Sequence, residues 1–160
     1  MQQMNTPGKD PDAMKAWQRI DCQTTTSGKL VAANVQQLAD LGVRHVINLA
    51  MDDHPEALSG EADLLQAAGI RYTHIPVPFD APTDAHYDAF VRAYETVDKP
   101  VHVHCIANMR VSAFLYRYHR DRKTMPEAEA RALMEQQWSP DTGDHPSLAP
   151  WAQFIAAAAD

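Results

Sequence analysis

The chain has 160 residues, 45% of them hydrophobic, enough apolar material for one sizeable core, so a single α/β domain is the default. A formal charge of −7 opposes non-specific contact with nucleic acid or an anionic membrane, so any anion site must be a local positive pocket in an acidic surface. Two cysteines, Cys22 and Cys105, are too few for a disulfide framework, and no segment is apolar and long enough for a membrane span or a signal-peptide core, so a cytoplasmic location is expected.

Residues 1–16 are polar and rich in Pro, Gly and Lys, and are expected to form a flexible tail ahead of one domain over 17–160. Trp17 to Asp21 suits a short edge strand, and Thr24-Thr25-Thr26-Ser27-Gly28 reads as a turn into the core. Val31, Val35, Leu38 and Leu41 mark a helix face that Gly42 closes. Val43 to Leu49 is a predicted strand, followed by the loop Met51-Asp52-Asp53-His54-Pro55. A helix near Ser59 to Ala68 stops at Gly69, and Ile70 to Val77 is the next strand. The loop Pro78-Phe79-Asp80-Ala81-Pro82-Thr83-Asp84 then leads into a helix carrying Tyr87, Phe90, Val91 and Tyr94.

A strand from Pro100 to His104 precedes Cys105, and Val111, Phe114, Leu115 and Tyr118 give the following helix an apolar face. Thr124 and Glu127 have the spacing of a capping box for a helix to about Trp138, and Trp151, Phe154 and Ile155 suggest a final helix packing on the core. Strands alternating with helices imply a mainly parallel central sheet with helices on both faces and a site beyond the strands' carboxyl ends.

Cys105 falls at that end. The run Val-His-Val-His-Cys-Ile-Ala-Asn-Met-Arg-Val-Ser, residues 101–112, places a thiol at a helix N-terminus, where unpaired N–H groups and the helix dipole attract anions and favour the thiolate. Arg110 adds a guanidinium fork suited to a tetrahedral oxyanion such as phosphate or sulfate. His102 and His104 share a strand face but lack a convincing third ligand, so neither a metal nor a cofactor is expected. Arg117, Arg120, Arg122 and Lys123 read as the solvated side of the helix.

His104-Cys105 through Arg110, with the strand before and the helix after, resembles the signature loop of the protein tyrosine and dual-specificity phosphatases. Ser27-Gly28, the segment 42–49 and the segment 72–80 are similar to a small bacterial phosphatase-like family of the DUF442 type, so the resemblance covers most of residues 20–120. The loop departs from the phosphatase pattern in two respects. Only Ile106, Ala107, Asn108 and Met109 separate Cys105 from Arg110, a Cys-x4-Arg spacing also similar to rhodanese sulfurtransferases, and the loop has no glycine. Asn108 is the residue best able to adopt the left-handed conformation a glycine would supply.

The resemblance implies a cysteine-dependent phosphatase acting on a phosphorylated small molecule or phosphoprotein. Cys105 would be the nucleophile, Arg110 and the amides of Ile106, Ala107, Asn108 and Met109 would hold the phosphate, and Asp80 would be the general acid, with Asp84 the alternative. His104 and Ser112 would support the thiolate. A sulfurtransferase or persulfide carrier, which needs no general acid, and a catalytically silent phosphate-binding module are the alternatives. Loops near 51–58, 79–85 and 139–146 are expected to set the pocket's depth.

Overall fold

The computed structural model describes residue 11 and residues 14–122, 124–143 and 148–157; Lys123 and residues 144–146 of the 139–146 loop lie outside the described residues. The strands are β1 (Gln18–Arg19), β2 (Thr24–Ser27), β3 (His45–Asn48), β4 (Arg71–His74) and β5 (Val101–His104). The helices are α1 (Ala32–Asp40), α2 (Glu61–Ala67), α3 (Asp84–Thr96), α4 (Met109–Asp121), α5 (Glu127–Glu135) and α6 (Ala149–Ala156). The sheet order is β1-β2-β5-β3-β4, parallel except for the antiparallel edge strand β1.

One apolar cluster, around Phe90, Phe114, Trp151 and Val103, is built from α3, α4, α6 and the sheet. The other, around Leu38, Val46, Leu65 and Ile70, is built from α1 and α2 on the sheet, so the helices do cover both faces. The central strand β5 pairs Ser27 of β2 and Asn48 of β3 with His104, and all three chains end at one level. Cys105 is the first residue beyond that level.

Two local expectations are corrected. Thr24–Ser27 is a buried strand, not a turn. Threonine suits a strand when its hydroxyl finds a partner. Here Thr24 Oγ1 meets Tyr94 Oη at 2.6 Å, Thr26 Oγ1 donates to the Gln18 carbonyl at 2.9 Å, and Thr25 Oγ1 lies 2.9 Å from His102 Nδ1. Helix α5 begins at Glu127 after Pro126, without a side-chain cap, because the Thr124 hydroxyl is engaged by His119 Nδ1 at 2.8 Å.

Residues 14–16 also pack with the domain. Met14 is buried in the second cluster, the Lys15 carbonyl accepts the Gly28 N–H at 2.7 Å, and the Ala16 carbonyl accepts from Asn108 Nδ2 at 2.9 Å. Residues 14–16 are therefore packed against the core.

Candidate active site

Cys105 is fully buried between the end of β5 and the start of α4. Its N–H donates to the Ser27 carbonyl at 3.4 Å, continuing the β2–β5 ladder by one residue. The next residues leave the sheet: Ile106 gives its carbonyl to the Lys29 N–H at 2.9 Å, pinning the loop to the chain after β2. Gly28 makes this approach possible, because a Cβ there would stand 2.5 Å from the Ile106 carbonyl oxygen.

Asn108 is the N-cap of α4 with φ +62°, the left-handed geometry expected of it. Its Nδ2 donates to the Ala16 carbonyl at 2.9 Å and to Thr26 Oγ1 at 3.0 Å, so the side chain ties the loop to the N-terminal segment and to β2. The amides of residues 106–111 donate to no backbone acceptor among the described residues, as the first turn of a helix leaves them. These are the donors an anion would take.

Arg110 is also buried. Its Nε donates to the Val77 carbonyl at 2.8 Å and its guanidinium carbon sits 5.2 Å from the centre of the Phe79 ring. The segment 77–79 therefore lies over Arg110 and fixes the fork, while no described residue accepts from the two terminal nitrogens. Asp80 follows directly on this segment, exposed, in a turn closed by the Ala81 N–H on the Pro78 carbonyl at 3.1 Å. Trp151 Nε1 donates to the Phe79 carbonyl at 2.5 Å, and Trp138 and Trp151 pack on the Phe79 ring.

Asp84 is placed differently. It is the first residue of α3, whose cap is Thr83, and its Oδ1 accepts from Arg117 Nη1 at 2.9 Å. Arg117 is not on a solvated face: it is buried, against the Tyr87 and Phe154 rings and beside Asp121, because α4 is covered there by α3 and α6. The Tyr87 hydroxyl donates to Asp121 Oδ2 at 3.0 Å, and burial pushes its ionisation well above the ordinary range.

The Ser112 hydroxyl donates to the Met109 carbonyl at 3.0 Å, within its own helix turn. It faces a small cavity shared with Leu115 and Met134, so support of the thiol by Ser112 is not seen in this structure. His102 is neutral and structural. The Ser27 hydroxyl, which donates to the Gly28 carbonyl, accepts from Nε2 at 2.8 Å, while Nδ1 accepts from Thr25. Burial, then the neighbouring His104, hold its pKa well below the ordinary imidazole value.

His104 does contact the loop: Nδ1 lies 3.1 Å from the Cys105 carbonyl oxygen. Its Nε2 meets Glu61 Oε2 at 2.5 Å, a partner that sequence reasoning missed. Glu61 opens α2, 43 residues before His104 in a short helix, and only the three-dimensional packing of α2 near the end of β5 reveals the pair.

The family model described as "polymorphic toxin system, DSP-PTPase phosphatase" matches residues 22–118, the span from β2 through most of α4. The chain belongs to this family. It is thus a member of a phosphatase family of the dual-specificity type, and the expected α/β cysteine-phosphatase fold is the one observed. A DUF442 protein from Shewanella putrefaciens CN-32 is similar in two crystal structures. One is 31% identical with a TM-score of 0.70, covering 90% of this chain and 93% of that one. The other is 28% identical with a TM-score of 0.73, covering 89% and 90%. TpbA of P. aeruginosa shares the fold at 21% identity and a TM-score of 0.68, over 94% of this chain and 88% of that one. No curated protein sequence matches.

Proposed function

We propose that this member of the DSP-PTPase family hydrolyses a phosphomonoester through a phosphocysteine intermediate on Cys105. The observation that carries the reading is the link across Arg110. One end of the loop bears the thiol, and the other bears a guanidinium held by the Val77 carbonyl and the Phe79 ring, next to Asp80. The proposed acid thus follows in the chain directly on the segment that holds the anion fork.

In the proposed reaction the Cys105 thiolate attacks phosphorus while the bond to the leaving oxygen breaks. Asp80 gives that oxygen its proton. Arg110 and the amides of residues 106–111 bear the charge on the equatorial oxygens. Water then attacks the phosphocysteine, the Asp80 carboxylate takes its proton, and phosphate and thiolate are released. Asp80 is preferred to Asp84 because it adjoins the segment over Arg110, whereas Asp84 is engaged by Arg117. Cys105 is fully buried, so substrate entry requires the side chains over it to move.

TpbA has been crystallised as a cysteine-to-serine variant with phosphotyrosine, and PTPMT1 with PI(5)P. Both ligands are phosphomonoesters, and the substrate proposed here is of that class, on a small molecule or a protein. The reading is tested by turnover of an aryl phosphate between about pH 5 and 8. Cys105→Ser is expected to abolish it, and Asp80→Asn to lower it by about 10²-fold or more. Turnover that survives in Cys105→Ser would refute the reading, and an unaffected Asp80→Asn would point to thiol chemistry that needs no acid.

A further inference from the structure

The Glu61–His104 pair lies beneath the loop 51–58, with Leu30, Ala57 and Leu58 among the side chains around it. Both members are buried, with 6% and 3% of their side chains exposed. At 2.5 Å from the Glu61 carboxylate and 3.1 Å from the Cys105 carbonyl, the two ring nitrogens of His104 each face an oxygen. A backbone carbonyl only accepts hydrogen bonds, and so does a carboxylate. A neutral imidazole has one N–H and cannot satisfy both, so the pair must hold two protons between them. Imidazole is the stronger base, which puts both on His104.

We infer that Glu61 is a positioning residue: its carboxylate keeps His104 as an imidazolium, with Nδ1–H fixed on the Cys105 carbonyl, and so sets a positive charge on the backbone of the residue that bears the proposed thiolate. The inference deepens the proposed function and rests on Cys105 being its nucleophile.

No other charge near His104 takes over this task among the described residues. On β5 itself, His102 stacks on His104 at 6.3 Å and is neutral. From β2 and β3 come Ser27 and Asn48, both uncharged. Tyr72 on β4 receives a hydrogen bond from Asn48 Nδ2. Burial first, and then the charges of Glu61 and Asp52, push its pKa up to about 12, so it stays neutral. Lys29 and Glu56, over the pair, neutralise each other at 2.6 Å. Removing the Glu61 charge would therefore leave His104 with no carboxylate to hold its second proton.

Two measurements on full-length Cys22→Ser protein, in which Cys105 is the single thiol, test this. In ¹⁵N NMR near pH 7.5, with the His104 signals assigned by their loss in His104→Gln, both ring nitrogens should carry protons. A single protonated nitrogen would overturn the inference. Ultraviolet thiolate absorbance, followed against pH with the Cys105→Ser protein as blank, should show about three- to tenfold less thiolate in Glu61→Gln near pH 6. The two curves should meet in alkali. Superimposable curves would overturn it. If Glu61→Gln does not fold, the NMR result alone decides. Neither readout uses a phosphate ester, so an inactive protein with a doubly protonated His104 and a shifted thiolate curve would count against the phosphatase reading alone, and the coupling of Glu61 through His104 to the thiol would hold for whatever chemistry the thiol does.

Discussion

Trp151 of α6 holds the carbonyl of Phe79 by its indole N–H at 2.5 Å, so the last helix of the fold anchors the segment that ends at Asp80. The same Phe79 ring carries the Arg110 guanidinium. Replacing Trp151 by Phe keeps an aromatic ring but removes the donor and leaves a void. Denaturant unfolding should show a loss of about 2–3 kcal/mol. Turnover should fall more for aryl phosphates with poor leaving groups, which depend on the acid, than for those with good ones.

Gly28→Ala tests how closely the loop rests on β2. The added Cβ would meet the Ile106–Ala107 backbone, at 2.5 Å from the Ile106 oxygen and 3.2 Å from the Ala107 Cα, so the loop has to shift. A stability loss of about 1–3 kcal/mol is expected, together with weaker inhibition by vanadate as the amides move. Unchanged inhibition would show that the anion is held elsewhere.

Asn108 is expected to matter by its side chain as well as by its backbone. Asn108→Gly keeps φ +62° accessible but loses the bonds to Ala16 and Thr26, whereas Asn108→Ala loses both advantages. Thermal and denaturant unfolding should rank wild type above Gly and Gly above Ala, with Ala costing about 2–4 kcal/mol.

Acidification should destabilise the fold through buried histidines. His102, and to a smaller extent His119 and His45, are held neutral chiefly by burial, so their folded pKa values lie below those of the unfolded chain. The unfolded state then binds more protons below about pH 6.5, and stability falls as the pH drops through that value towards the folded pKa. Each such group adds at most about 1.4 kcal/mol per pH unit. Urea unfolding between pH 7.5 and 5 should therefore show a slope that His102→Gln reduces.

The reach of the sequence can be judged from the same residues. The Cys105–Arg110 loop was legible because a strand, a thiol and an arginine-led helix are contiguous, and Asn108 was legible because few side chains tolerate a positive φ. β2 was not: its Thr-Thr-Thr-Ser run has the composition of a turn, and only partners from residues as distant as Tyr94 and His102 make it a buried strand. Glu61 and Trp151 escaped for the same reason, since each acts on a backbone or ring more than 40 residues away. Arg117 looked solvated because the sequence of α4 alone cannot show that α3 and α6 close over it.

The covalent step at Cys105 is tested by an acid quench of wild-type protein during turnover of a ³²P-labelled aryl phosphate. Peptide mass spectrometry then locates the label. One phosphoryl group is expected on Cys105, absent from Cys105→Ser. Turnover without any phosphocysteine, or with the label on another residue, would contradict that step.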